Sequence, residues 1–137
     1  MGYSVITNKT FFIRKDSNYP LIKYPLLDKM LEKYDITEEM LENIAVTFSM
    51  IDSETGQYKV ANSAGSLTIT NTIDNPEEEK YTLTYKLKLS QTTKSGNFIG
   101  EFCIDFLDYK NCQKLKLPLE GQINIIITDS ITKTTVI

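Results

Sequence analysis

The chain has 137 residues, of which 41% are hydrophobic and 24% charged, with a formal net charge of −3. That length is one domain, and the balance is ordinary for a globular one. It offers no basic excess for nucleic acid and no apolar run near the ~20 residues of a membrane helix.

The sequence contains no histidine and no tryptophan. The missing histidine removes the usual general base near neutral pH and the commonest transition-metal ligand. The first twenty residues lack a positive start followed by an apolar block, so no secretory signal is expected. Met1-Gly2 is not a myristoylation start, because Ile6 stands where that motif wants Ser or Thr.

Residues 1–9 read as an extended arm, and Thr10–Arg14 as a first strand with Phe11 and Ile13 on one side. Asp16-Ser17-Asn18-Tyr19-Pro20 is turn chemistry, and Leu21–Tyr24 a short extended piece. The period then changes. Leu26, Leu27, Met30, Leu31 and Tyr34 recur at helical spacing, with Pro25 fit for the first helical position. Asp35 followed by Glu38 predicts a capping box for a second short helix, with Met40, Leu41 and Ile44 inward. The whole of Pro25–Ile44 is expected to be a helical insertion plugging one edge or end of a β body.

From Ala45 onward the chain is β-rich. Val46, Phe48 and Met50 alternate with Thr47, Ser49 and Ile51, Asp52–Gly56 turns, and Tyr58 and Val60 continue as a partner strand. Leu67 and Ile69 make the next strand, followed by a polar acidic loop around Pro76. The clearest alternation comes next, Tyr81, Leu83, Tyr85, Leu87, Leu89 and then Phe98, Phe102, Ile104, Phe106. A period of two buries one face of a strand, so these two runs predict an antiparallel hairpin through Gln91–Asn97. Leu115, Leu117 and Leu119 alternate around Pro118, which predicts an edge strand, and Ile123, Ile125 and Ile127 close the set. Ser130–Ile137 is Thr-rich and β-prone. About eight strands at this turn spacing make a mainly β fold, a sandwich.

Few groups offer chemistry. Cys103 and Cys112 would sit about four strand residues apart, roughly 13 Å, beyond the ~7 Å a disulfide spans, so two free thiols are expected. Glu101 and Asp105 share one face of a strand, again about 13 Å apart, outside both windows for a glycosidase carboxylate pair. Asp52–Gly56 resembles a calcium loop but lacks its later ligands, and reads as a turn. Glu77-Glu78-Glu79 reads as a solvated loop run. Lys86, Lys88, Lys114 and Lys116 make a basic stripe only if their strands are neighbours. No catalytic, cofactor or metal residue is assigned. Of the tyrosines Tyr3, Tyr19, Tyr24, Tyr58, Tyr81, Tyr85 and Tyr109, Tyr81 and Tyr85 fall on the inward register, while Tyr109, beside Asp108 and Lys110, is the candidate for an exposed contact.

The block Ile44-Ala45-Val46-Thr47-Phe48-Ser49-Met50-Ile51-Asp52, then Thr55-Gly56 and Tyr58-Lys59-Val60-Ala61-Asn62, resembles small virion proteins of tailed bacteriophages. Gly96, Phe98-Ile99-Gly100-Glu101-Phe102, Ile104-Asp105-Phe106 and Leu117-Pro118 extend the likeness to about Asp129. It is greatest to the amino-terminal domain of baseplate upper proteins, which anchor receptor-binding or fibre proteins to the tail. The resemblance implies an immunoglobulin-like antiparallel sandwich of about seven or eight strands. It implies a non-catalytic virion building block, made in the bacterial host cytoplasm and needing no cofactor. Its partners would be other virion proteins and copies of itself, with no nucleic acid or membrane. Tyr3, Val5 and Ile6 in one arm, and Ile131, Thr134, Val136 and Ile137 in the other, are then candidates for strand addition to neighbouring subunits. A head decoration or neck protein is a close relative of this reading. The alternative from another class is a carbohydrate-binding sandwich contacting a host glycan through outward aromatics such as Tyr109.

Overall fold

The expected strands form, but the two most regular of them lie in opposite sheets rather than side by side. The computed structural model describes residues 7–69, 81–107 and 113–129. Among them are nine strands: β1 Thr7–Arg14, β2 Ile22–Leu26, β3 Ile44–Asp52, β4 Tyr58–Ala64, β5 Ser66–Ile69, β6 Tyr81–Tyr85, β7 Gly96–Phe106, β8 Lys114–Leu117 and β9 Gly121–Thr128. The larger sheet has the order β1-β9-β7-β3-β4, with β8 also on β7, and the smaller has the order β2-β6-β5. With β2, β3, β5, β6, β7 and β9 in the places of strands B to G, this is the immunoglobulin-like arrangement, extended at one edge by β4.

Tyr81–Leu89 and Phe98–Phe106 were expected as one hairpin. Instead β6 ends at Tyr85 and pairs with β2 and β5, while β7 pairs with β3, β8 and β9. The alternation has the same cause in either arrangement: each strand turns one face to the core, and a period of two does not say whether its partner lies beside it or across from it. Here they lie in two sheets that meet across the core. The Phe48 ring on β3 stacks on Tyr85 of β6 at 4.7 Å and 18°, and Tyr24 of β2 tilts toward Phe102 of β7 at 6.4 Å.

The crossing from β6 to β7 is held from inside. The buried Tyr85 hydroxyl donates to Gln91 Oε1 at 2.9 Å, and the Lys88 amide donates to the same oxygen at 2.9 Å. Leu87 and Thr92 are buried, and the Thr92 carbonyl accepts the Asp16 amide at 2.9 Å. Replacing Gln91 by Leu is expected to cost about 1–3 kcal/mol in urea denaturation, because a buried hydroxyl loses its acceptor. Adding Tyr85→Phe should recover most of that loss; no recovery would mean Gln91 acts some other way.

The first strand begins at Thr7, so residues 7–9, expected in an arm, belong to it. It runs parallel to β9, from Thr7 opposite Gly121 to Arg14 opposite Thr128, and the sandwich is therefore not wholly antiparallel. Polar Asn8 hides this strand from a periodicity reading, yet its Oδ1 accepts the Gln122 amide at 3.1 Å.

The helical insertion is smaller than expected. Pro25 lies within β2, opposite Thr82, at the outer edge of the smaller sheet where a missing N–H is tolerated. Only Asp28–Lys33 is helical (α1), followed by a 3₁₀ turn at Met40–Glu42. No helix starts at Asp35, which takes φ +55°; the 3₁₀ turn begins at Met40, whose amide donates to Thr37 Oγ1 at 3.3 Å. Met30, Ile36 and Leu41 are buried and close this end of the core, as a plug should.

Gly65 alone separates β4 in the larger sheet from β5 in the smaller. Its amide donates to the Val46 carbonyl at 2.9 Å, and a Cβ there would lie 3.0 Å from the Thr84 carbonyl oxygen. Lys114 and Lys116 are on β8 of the larger sheet, whereas Lys86 and Lys88 follow β6 of the smaller, so the four lysines make no stripe.

Candidate functional site

Two irregularities shape the outer face of the larger sheet. The first is a long bulge: Leu117 stands opposite Phe102 and Ile123 opposite Gly100, so the five residues 118–122 face the single residue Glu101. Pro118, expected in an edge strand, lies at the start of this bulge after a cis peptide bond. A bulge bends its strand. Residues 118–120 lie between β8 and β9, whereas Gly121 and Gln122 begin β9 and pair with β1, and Pro118, Gly121 and Gln122 together form a wall bordering β7 on this side.

The second irregularity is in the β3–β4 pair. Met50 pairs with Val60, but the next residue, Ile51, pairs with Tyr58. The slip puts Tyr58 on the opposite face from the buried Val60, and its side chain is 69% exposed. Simple alternation places Tyr58 with Val60, which is why the sequence reading passed over it. The turn Asp52–Gly56 sets up the slip. Asp52 Oδ1 accepts the Glu54 and Thr55 amides at 2.8 and 3.1 Å, and Gly56 takes φ +73°. That is the turn chemistry expected of these residues rather than a metal loop.

Between the bulge and Tyr58 the outward side chains form two kinds of row. Tyr58, Ile51 and Ile99 are cross-strand neighbours, and Asn124 and Thr10 continue that line. The adjoining line is polar: Asn62, Ser49, Glu101, Gln122 and Asn8. Asn62, with φ +48°, donates its amide to Ser49 Oγ at 2.9 Å. The Gln122 side-chain amide donates to Asn124 Oδ1 at 3.0 Å. Lys116 Nζ approaches Glu101 Oε1 at 4.0 Å, with both side chains at least half exposed, a weak surface pair.

A groove of about 200 Å³ lies between the walls, lined by Tyr58, Ile51, Ile99, Ser49, Glu101, Pro118 and Gln122. A second, of about 290 Å³, shares Ile99 and Gln122 with it and continues past Asn97, Asn124 and Thr10 toward Ile126. Phe12, opposite Ile126, is 63% exposed at the far edge.

The residues singled out from the sequence fall elsewhere. Tyr3, Val5, Ile6, Ile131, Thr134, Val136, Ile137, Tyr109 and Cys112 lie outside the described residues. Tyr81 and Tyr85 are buried, as their register implies. Cys103 is a free, half-buried thiol on the outer face, opposite Lys116. Glu101 and Asp105 both point outward on β7. Among the described residues no group of three or more Cys, Asp or Glu side chains is placed to hold a metal ion, and no helix is long and apolar enough to cross a membrane.

No family model matches the chain, and neither a curated protein nor a solved structure matches it.

Proposed function

We propose that the chain is a non-catalytic structural subunit of a tailed-bacteriophage particle, a tail, baseplate or fibre connector that docks neighbouring subunits. The reading rests first on the resemblance carried by Ile44–Asp52 and Phe98–Phe106, residues that build the two central strands β3 and β7. A histidine-free sequence suits a part whose work is assembly rather than acid–base chemistry.

One geometric observation supports it most. Because β1 and β9 run parallel, the chain joins this pair at the Thr7–Gly121 end and leaves it at the Arg14–Thr128 end. The segments before Thr7 and after Asp129 are therefore attached about 23 Å apart at ~3.3 Å per residue, at opposite ends of one edge. Attachment at opposite ends suits head-to-tail contacts, which close into rings or propagate along an axis. Beside it, no strand among the described residues pairs with the outer edge of β1, eight residues without proline, a template for strand addition by a neighbour.

Density-purified particles from the strain carrying the gene should contain the chain, detected by mass spectrometry, and antibody labelling should mark the tail. Its absence from such particles would refute the reading. Deleting residues 131–137 should abolish incorporation while changing the stability of the isolated domain by less than about 0.5 kcal/mol. Full incorporation of the truncated chain would exclude the carboxy-terminal arm as the joint.

A further inference from the structure

We infer that the outer face of the larger sheet, between Tyr58 and the 118–122 bulge, binds a neutral oligosaccharide. The inference is independent of a place in a phage particle, and it transfers the alternative glycan reading from Tyr109 to a different tyrosine.

The backbone of the floor is committed already, since β7 is paired with β3 on one side and with β8 and β9 on the other. The floor has no open strand edge for a peptide to extend, and a ligand here meets mainly side chains, with backbone reached at Gly100 and Gly121. Those side chains have a definite chemistry. Ser49, Gln122, Asn124 and Asn97 carry hydroxyl and amide groups, which both donate and accept hydrogen bonds. A sugar hydroxyl does the same, so the two chemistries are matched in kind. Gln122 and Asn124 are held in place by their mutual hydrogen bond at 3.0 Å, so little ordering remains for the ligand to impose.

Apolar contact comes from Tyr58, with Ile51 and Ile99 beside it. An aromatic face exposed to 69% on a sheet is a large apolar area left in water, suited to the CH face of a pyranose ring. Charge argues for a neutral ligand, because the one carboxylate among the described residues lining the groove, Glu101, stands beside Lys116 at 4.0 Å and the two offset each other. Shape argues for a chain of sugars rather than one. The two grooves, of about 200 and 290 Å³, share Ile99 and Gln122 and so run on from one another across the sheet.

The test is a two-dimensional amide NMR titration of the full chain with cellotetraose, maltotetraose and N-acetylchitotetraose, with a sulfated heparin tetrasaccharide as the charged control. At least one neutral tetrasaccharide should shift the amides of Tyr58, Ile99, Glu101 and Gln122 in a saturable way. Tyr58→Ala should weaken that binding about tenfold, the loss of one aromatic stacking contact with its buried area, while Tyr58→Phe retains it. Tyr19→Ala, at a tyrosine 77% exposed outside the groove, should have no effect. The proposal is overturned if no neutral sugar shifts these amides, if Tyr58→Ala leaves binding intact, or if only the sulfated chain binds. It is equally overturned if the same amides shift with protein concentration alone, since the face would then be covered by a second copy.

Discussion

Replacing Phe48 by alanine is expected to cost about 3–5 kcal/mol, the upper range for a buried aromatic. Phe48 is fully buried on β3, and its ring touches both sheets. It stacks on Tyr85 of the smaller sheet at 4.7 Å and tilts against Phe102 of its own sheet at 4.9 Å and 58°. Aromatic pairs of this kind add about 0.5–1.5 kcal/mol each beyond the area they bury. Removing the ring opens a cavity between sheets whose strands are fixed by their own hydrogen bonds, so the gap closes poorly. A domain of this size has about 5–15 kcal/mol in total, and the variant would stand near its limit. Urea denaturation followed by circular dichroism measures the loss, with Phe48→Leu as the milder variant if the alanine form fails to fold. A loss below about 1 kcal/mol for alanine would mean that the two sheets are not joined at this ring.

The second large effect is expected at Gly100, on β7 beside the same ring. A Cβ built there lies 2.7 and 2.8 Å from two carbons of Phe48 and 2.9 Å from Ile125 Cδ1. Ile125 can turn its terminal methyl away, but the Phe48 ring is trapped between Tyr85 and Phe102. Gly100→Ala should therefore destabilise by about 1–3 kcal/mol through overpacking, although alanine is normally the better strand residue. The clash predicts its own relief. In a Phe48→Leu background the same substitution should cost much less, with a coupling energy of about 0.5–3 kcal/mol in the double-mutant cycle. Strict additivity would show that the cost at Gly100 arises from the backbone rather than from the ring.

These two positions also bear on the outer face. Gly100 lies beneath the groove, between the outward residues Ile99 and Glu101, so a shift of β7 made to accommodate a new Cβ would displace both. The proposed sugar site and the core packing share one strand. Tyr58→Ala separates them, because it removes an exposed side chain and leaves the core as it is.

The face assignments were legible in the sequence. Val46, Phe48 and Met50 on β3, Tyr81, Leu83 and Tyr85 on β6, and Phe98, Phe102, Ile104 and Phe106 on β7 are all buried where alternation puts them. The turn at Asp52–Gly56 and the end-plug role of Met30 and Leu41 were legible too, because turn residues and apolar spacing are local signals. The candidate groove was not. Tyr58 reaches the outer face only through a one-residue slip against β3, and the wall at 118–122 exists only because β7 has a single residue there.

The chain by itself determined the inward faces of β3, β6 and β7, since those follow the pleat of each strand. It did not determine that of Tyr58, turned outward by its register against β3, nor that of Leu89, which lies beyond the end of β6 and is 56% exposed. Only the tertiary structure decided which strands are neighbours. It sent β6 and β7 to opposite sheets, set β1 parallel to β9, and turned Tyr58 into water, because pairing depends on the register of partners far apart along the chain.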